Sequence, residues 1–235
     1  MNLVITGASR GLGRAVAEKF AGDGQGHTLL LSARNKAKLE ATAQELKQVF
    51  SGVHILAFAC DLGKKEEVAS LAEWVNQSVD NVDMLVNNAG SFIPGSVYNE
   101  EDGALEQMIA VNLYSAYHLT RMLLPRMMEH KKGHIFNMCS IASLKAYSNG
   151  GAYSISKFAL LGFSKNLREE MKPYNIKVTA VLPGAAYTDS WAGSGIDPLR
   201  IMEANDIAAL IYASAHLSPQ ACVEDIIVRP QLGDL

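Results

Sequence analysis

Short apolar segments alternate with longer amphipathic segments along the whole of this 235-residue chain. In the longer segments apolar residues recur at three- and four-residue spacing, which is typical of helices that bury one face. These segments predict helices over residues 12–21, 36–50, 65–79, 101–129 (as two helices), 152–172 and 204–217. The short segments predict strands at residues 3–6, 28–32, 53–59, 83–87, 133–140, 177–182 and 225–229. The pattern is therefore a repeated alternation of strand and helix.

Several strands read as continuous apolar runs, as in Thr28-Leu29-Leu30-Leu31. Such runs are buried on both faces, which is the environment of a parallel sheet covered by helices. We therefore expect an α/β fold, a doubly wound parallel sheet of about seven strands with helices on both faces. Because no Pro/Gly/Ser-rich linker interrupts the pattern, residues 1–235 are expected to form a single domain, with a long irregular loop at 188–199.

Composition excludes several classes of protein. Hydrophobic residues make up 49% and charged residues 19%, the mixture of a globular chain rather than a disordered one. Lys and Arg (21) nearly balance Asp and Glu (24), so no nucleic-acid partner is expected. The cysteines Cys60, Cys139 and Cys222 are widely spaced, which predicts reduced thiols and no metal site. With no signal peptide and no apolar stretch of ~18 residues, we expect a cytoplasmic protein without a membrane partner.

A glycine-rich turn lies where the first predicted strand gives way to the first helix. Its sequence is Thr-Gly-Ala-Ser-Arg-Gly-Leu-Gly at 6–13. Glycines let the backbone turn tightly and approach a pyrophosphate, whose charge is stabilised by free amides at the helix N-terminus. An ordinary strand-to-helix turn explains such glycines equally well in isolation, but their position in the first βα unit favours a dinucleotide.

Two arginines indicate which dinucleotide binds. Arg34 follows the second strand, where Asp or Glu would favour NAD and Arg would pair with the 2′-phosphate of NADP. Arg10, inside the glycine turn, can approach the same phosphate from the other side. A solvated surface position explains either arginine singly, but the two together favour NADP(H).

Tyr153 and Lys157 are four residues apart in a predicted helix and therefore share a face. A cation beside a phenol stabilises the phenolate left by proton donation, so the pair suits general acid–base catalysis. An accidental surface pair is the alternative. Ser140 supports the catalytic interpretation, because a strand-end hydroxyl and the next helix meet in one crevice of a doubly wound sheet. Ser140 itself has the alternative of capping local backbone.

Other strand ends carry polar or small residues, namely Asp61, Asn87-Asn88-Ala89-Gly90 and Pro183-Gly184. Singly each suits an ordinary turn, but several along one edge of a sheet suggest a ligand site. Asn112 lies in the apolar helical stretch 109–114. Its amide therefore either joins a polar network or marks a junction between helices.

In order and spacing, these residues resemble the short-chain dehydrogenase/reductase family over residues 3 to about 188, and Leu-Ser-Ala-Arg-Asn at 31–35 resembles its sepiapterin-reductase-type members. The resemblance implies a Rossmann fold with strand order 3-2-1-4-5-6-7, and a homodimer or homotetramer packed through the helices near 101–130 and 152–172. It implies Tyr153 as the general acid of carbonyl reduction, with Lys157 assisting it. Ser140 would polarise the carbonyl, and Asn112 would hold a water that relays protons.

The resemblance also assigns the contacts to NADP(H). The turn glycines would line the pyrophosphate, Asp61 would meet the adenine, and Thr188 would bind the nicotinamide carboxamide. The full set expected to bind the coenzyme is Gly7, Ser9, Arg10, Gly11, Leu12, Gly13, Arg34, Asp61, Leu62, Asn88, Ala89, Gly90, Tyr153, Lys157, Pro183, Gly184 and Thr188.

The implied activity is the reversible, NADPH-dependent reduction of a ketone or aldehyde carbonyl to an alcohol. One alternative is a ketoreductase for 3-oxoacyl groups on a carrier, which would need a basic docking surface, and another is a regulator that binds NADP without chemistry. The segment 189–203 is short for a substrate-covering lid, which suggests an open site. Its expected apolar lining is Phe92, Ile93, Leu144, Tyr147, Ala185, Tyr187 and Trp191.

Overall fold

The computed structural model describes residues 1–188 and 195–235. Its strands, in chain order, are β1 (Asn2–Thr6), β2 (Thr28–Ala33), β3 (His54–Ala59), β4 (Met84–Asn87), β5 (Gly133–Met138), β6 (Ile176–Pro183), β7 (Ala186–Tyr187), β8 (Met202–Glu203) and β9 (Asp225–Val228). Seven of them form one sheet in the order β3-β2-β1-β4-β5-β6-β9. All six neighbouring pairs are parallel. The predicted doubly wound sheet and its strand order are therefore confirmed.

The helices are α1 (Gly11–Ala21), α2 (Lys36–Val49), α3 (Lys65–Ser78), α4 (Ala104–Ile109), α5 (Ser115–His130), α6 (Gly151–Met171) and α7 (Ala204–Ala215). They cover both faces of the sheet. Successive residues of a strand point to opposite faces and therefore pack against different helices. Ile5 of β1 packs in one core cluster with Phe20 of α1. Its neighbour Val4 packs in another, with Leu71 of α3 and Leu123 of α5. Burial on both faces explains why the strands are continuously apolar.

Three segments differ from the sequence prediction. The strand predicted over 133–140 ends at Met138, because the Cys139 amide turns back to the Asn137 carbonyl at 2.9 Å. The helical region predicted over 101–129 begins at Ala104, and a π-helical turn, Ala110–Tyr114, joins α4 directly to α5. The short strands β7 and β8 pair with each other, and two residues are too few to leave a periodic signal.

Residues 189–194 lie outside the described residues. They include Trp191, and they form part of the loop predicted at 188–199 and of the segment 189–203. Within the described ranges, none of the helices has both the length and the apolar character needed to cross a membrane.

The carboxyl ends of the parallel strands lie along one edge of the sheet, which is where doubly wound folds bind their ligands. The glycine turn follows β1, Arg34 follows β2, Asp61 follows β3 and Asn88 follows β4. Ser140 lies just beyond β5. The fold thus brings the predicted residues to a common edge.

Candidate functional site

The glycine turn joins β1 to α1 in a conformation that needs glycine at two of its positions. Gly7 and Gly11 have φ values of +65° and +55°, in the left-handed region that side chains disfavour. At Gly13 the constraint is space, because a Cβ atom there would lie 2.4 Å from Asn88 Nδ2 and 2.5 Å from the Gly7 carbonyl oxygen. The turn is therefore packed tightly against the end of β4.

Asn88 and Thr6 hold this turn in place. Asn88 Nδ2 donates to the carbonyl oxygens of Thr6 at 2.8 Å and Gly7 at 3.2 Å. Thr6 Oγ1 accepts from the backbone amides of Asn88 and Ala89, each at 3.0 Å. Asn88, predicted as a coenzyme contact, is thus also a brace for the glycine turn. Thr6 was missing from the predicted set, since a strand-end Thr carries no distinctive signal.

The N-terminus of α1 is suited to an anion. Its first turn contains no acidic residue, and Arg10 at the N-cap position offers no side-chain acceptor to the free amides. Arg10 and Arg34 are both exposed near this edge of the sheet. Thr188 lies beside the same turn, since a Cβ atom at Gly11 would be 3.3 Å from Thr188 Cγ2.

The remaining predicted coenzyme residues have local structural contacts as well. Asp61 Oδ1 accepts from the Gly63 amide at 3.0 Å, so this carboxylate shapes the turn after β3, and Leu62 beside it is buried. The Gly184 amide donates to the Val228 carbonyl at 2.8 Å, which ties the end of β6 to β9. Each of these contacts therefore shapes the carboxyl edge of the sheet at a position predicted to bind the coenzyme.

Lys157 is the buried cation of the candidate site. Its side chain is on α6 and is only 4% exposed, and its Nζ donates to the Met138 carbonyl oxygen at 2.7 Å. Nζ lies 5.8 Å from the centre of the Tyr153 ring. A surface pair was the alternative for Tyr153 and Lys157, and a lysine buried to this degree does not fit it. The Tyr153 ring contacts Phe92 edge to face, with the ring centroids 5.0 Å apart.

Ser140 caps a short 3-10 turn, Ile141–Ser143, which follows β5. Its Oγ accepts from the Ala142 amide at 3.1 Å, so Ser140 does cap local backbone. That bond uses a lone pair of the hydroxyl and not its proton. In the described parts of the chain no hydrogen bond takes the Ser140 hydroxyl proton, which leaves it for a ligand oxygen.

Asn112 lies in the π-helical turn and joins a polar network, so both alternatives for this residue hold. Its Oδ1 accepts from the Ser91 amide at 2.7 Å, and its Nδ2 donates to the Ser91 carbonyl at 3.0 Å and to Ser156 Oγ at 2.9 Å. A Cβ atom at Gly90 would lie 3.3 Å from Asn112 Oδ1 and 3.5 Å from Lys157 Nζ. The amide and the ammonium therefore flank Gly90. Ser91 and Ser156 were not predicted, because only the fold brings them to Asn112.

Burial raises the pKa values of two ionisable groups near this site. The pKa of the Cys139 thiol is raised to about 11, chiefly by desolvation. The pKa of the Tyr147 phenol is raised to about 12 by desolvation and by the neighbouring Tyr153. Both groups are neutral near pH 7, so neither supplies a negative charge that would pair with Lys157. Among the described residues, no group of three His, Cys, Asp or Glu side chains is placed to hold a metal ion.

The expected lining of a substrate pocket is partly assembled. Phe92 and Tyr147 are about half exposed and lie beside Tyr153. Ile93 packs with Tyr153 against the buried Ala104, Met108 and Ala152. These three apolar or aromatic side chains therefore lie around Tyr153.

Comparison with known proteins agrees with this geometry. A family model described as short chain dehydrogenase matches residues 1–197. The chain is 33% identical to a sepiapterin reductase of Chlorobaculum tepidum, over 99% of this chain and 97% of that one. Among solved structures, a metagenomic short-chain oxidoreductase in complex with NADP is 32% identical, with a TM-score of 0.84 over 98% of this chain and 97% of the other.

A further solved structure, the L-sorbose reductase of Gluconobacter frateurii complexed with NADPH and L-sorbose, is 28% identical, with a TM-score of 0.88 over 97% of this chain and 94% of the other. The resemblance deduced from the glycine turn, Asn112, Ser140, Tyr153 and Lys157 is confirmed by these matches. The chain belongs to the short-chain dehydrogenase family of oxidoreductases.

Proposed function

We propose that this protein reduces the carbonyl group of a ketone or aldehyde to an alcohol with NADPH. The observation that carries the proposal is the buried ammonium of Lys157, one helical turn after Tyr153 and 2.7 Å from the Met138 carbonyl. A buried lysine is costly unless its charge is used or paired. Lys157 lies beside the Tyr153 phenol at the carboxyl edge of the sheet, where its charge assists proton donation by that phenol.

The chain offers a fitting site for the coenzyme. The packed glycine turn brings backbone close to a pyrophosphate, and the α1 N-terminus stabilises its charge. Arg10 and Arg34 would hold the 2′-phosphate, Asp61 and Leu62 would lie at the adenine, and Lys157 would bind the nicotinamide ribose. NADPH, when bound, supplies the hydride. Two solved relatives are described with NADP or NADPH bound, which supports this choice of coenzyme.

Four side chains polarise the carbonyl, donate the proton and replace it. The Ser140 hydroxyl donates to the substrate oxygen and polarises the carbonyl. Tyr153 gives its proton to that oxygen as the alcohol forms, and Lys157 stabilises the phenolate that remains. Asn112, whose Oδ1 lies beside Gly90 with Lys157 Nζ, holds the water through which the proton is replaced.

A carrier-linked 3-oxoacyl substrate is less well supported, because the basic surface it requires is largely neutralised. Arg126 donates to the carbonyl oxygens of Asn76 and Val79 and is thereby used within the fold. Three further basic side chains, in the C-terminal part of α6 and next to it, are in ion pairs, namely Lys165–Asp225, Arg168–Glu224 and Lys172–Glu169. An acidic carrier would have to displace these partners.

The test is a titration with NADPH and NADH separately, followed by ketones, diketones and pterin carbonyls while the absorbance of the reduced coenzyme is recorded. We expect tighter binding of NADPH than of NADH, and carbonyl-dependent loss of the absorbance. Tighter binding of NADH would contradict the role of Arg10 and Arg34. Tight NADPH binding without turnover on any carbonyl would favour the NADP-binding regulator.

We further propose a cytoplasmic homodimer or homotetramer in which α5 and α6 pack against a second copy. The unpaired cysteines favour a reducing compartment. Tyr114, just before α5, and Ile155 and Phe158 on α6 are 44–52% exposed, and packing against a second copy would remove this apolar surface from water. A groove of about 740 Å³ runs between the two helices and is lined in part by Tyr117 and Phe163.

Phe158→Glu is expected to lower the molar mass in solution, from a homodimer to the 25.4 kDa monomer and from a homotetramer by at least half, because a buried unpaired charge costs several kcal/mol. Light scattering coupled to gel filtration measures it. Val49→Glu is the matched control, since Val49 is 69% exposed at the end of α2. A wild-type protein that is already monomeric, or a Phe158→Glu variant of wild-type mass, would contradict the proposed interface.

A further inference from the structure

The segment between β4 and α4 runs across the helix that carries Tyr153. We call residues 91–100 of this segment loop 91–100. At its start, the Ser91 backbone exchanges two hydrogen bonds with the Asn112 side chain, of 2.7 and 3.0 Å. At the next residue, the Phe92 ring packs edge to face on the Tyr153 ring. The loop therefore contacts two of the residues that the proposed function uses.

The far end of loop 91–100 is attached to the N-terminus of α6 by Glu100. Glu100 Oε2 accepts from the Ala152 amide at 3.0 Å, and the Gly95 amide donates to the Asn149 carbonyl at 3.2 Å. Helix α6 has no cap of its own, because Gly150 occupies the N-cap position and its first turn contains no acidic residue. Glu100 supplies both the missing acceptor and the negative charge that a helix N-terminus favours.

Two glycines make room for this contact. A Cβ atom at Gly151 would lie 2.6 Å from Glu100 Oε2 and 2.8 Å from the Gly95 carbonyl oxygen. A Cβ atom at Gly95 would lie 2.7 Å from Glu100 Cβ. Both glycines have ordinary backbone conformations, so it is space and not φ that excludes a side chain. The half-buried carboxylate therefore lies where the loop packs closely against the helix, and it is not a chance surface contact.

We propose that Glu100 is a positioning residue for Tyr153. The proposal rests on the proposed function, which gives Tyr153 the proton transfer. Ala152 immediately precedes Tyr153, so the capped amide and the phenol belong to the same first turn of α6. Lys157, one turn further on, is fixed independently by the Met138 carbonyl. Without Glu100 the first turn loses its acceptor and the Tyr153 ring shifts relative to a lysine that stays in place.

The kinetic test compares Glu100→Ala and Glu100→Gln with wild type. Because a misplacement of about 1 Å costs up to about 10²-fold in rate, we expect Glu100→Ala to lower kcat by roughly 10- to 100-fold. The KM for NADPH stays unchanged, since the glycine turn is untouched. Glu100→Gln recovers most of kcat, because its amide oxygen still accepts from Ala152. Glu101→Gln, the same change at the exposed next position, is the control and keeps wild-type kcat.

A second variant and a spectroscopic measurement complete the test. Gly151→Ala places a Cβ atom against both the Glu100 carboxylate and the Gly95 carbonyl oxygen, so it should displace loop 91–100 and lower kcat at least as far as Glu100→Ala, with some loss of thermal stability. In protein labelled with ¹³C at the tyrosine ring, the Tyr153 signal, assigned by its loss in Tyr153→Phe, should move or broaden in Glu100→Ala and not in Glu101→Gln.

The two measurements distinguish the positioning role from the proposed function. If wild type reduces no carbonyl, the proposed function fails, and the Tyr153 signal still decides whether Glu100 positions that ring. A Glu100→Ala variant whose Tyr153 signal stays at the wild-type position would overturn the positioning role. So would a Glu100→Ala variant with wild-type kcat in a protein that does reduce carbonyls.

Discussion

Tyr153→Phe is expected to lower kcat for carbonyl reduction by roughly 10²- to 10⁴-fold, the usual contribution of a positioned general acid. The substitution removes one hydroxyl group and keeps the ring, so the edge-to-face contact with Phe92 persists. Lys157 also keeps its hydrogen bond to the Met138 carbonyl. NADPH should therefore still bind. Coenzyme oxidation at saturating carbonyl measures the first effect, and NADPH fluorescence measures the second.

Tyr147→Phe is the matched control, because Tyr147 is a neighbouring phenol. Burial, together with the nearby Tyr153, raises the pKa of Tyr147 to about 12, which makes it a weak proton donor near neutral pH. Loss of the Tyr147 hydroxyl should change kcat little. A Tyr147→Phe variant without turnover, beside an active Tyr153→Phe variant, would move the proton donor to Tyr147.

The sheet could be predicted almost strand by strand, because the signal for a buried parallel strand is local. Leu29, Leu30 and Leu31 are all apolar because helices cover both faces of β2, and the helices show their own three- and four-residue spacing. Where the prediction erred, at residues 139 and 140, the sequence stays apolar or small while the backbone has already left the sheet. Composition does not distinguish a strand from the turn that follows it.

The partners of the site residues could not be predicted in the same way, because they come from distant parts of the chain. Asn88 braces Thr6, 82 residues earlier, and Glu100 caps a helix 52 residues later. Residue types at strand ends indicate that a site exists, but hydrogen bonds of this range depend on the packing of whole elements. Alternatives that sequence leaves open can also both be true, as at Ser140, which caps a turn with its lone pair and keeps its proton.

Arg34→Asp is expected to reverse the coenzyme preference from NADPH to NADH. Hydrogen bonds from a guanidinium to a phosphate contribute about 1.5–3 kcal/mol, so kcat/KM for NADPH should fall by roughly 10- to 100-fold. The new carboxylate repels a 2′-phosphate and accepts hydrogen bonds from the free ribose hydroxyls of NADH, which should raise kcat/KM for that coenzyme. The measurement is kcat/KM for both coenzymes with the same carbonyl substrate.

Lys47→Asp makes the same change of charge in the last turn of α2, the helix that begins two residues after Arg34. At about 1.5 Å per residue this position is roughly 16 Å further along the helix, beyond the screening length of about 8 Å at physiological salt. If the two variants lost NADPH activity equally, a general charge effect would explain the loss and Arg34 would have no specific contact. If Arg34→Asp kept its preference for NADPH, the 2′-phosphate would have to be held elsewhere, with Arg10 in the glycine turn as the next side chain to replace.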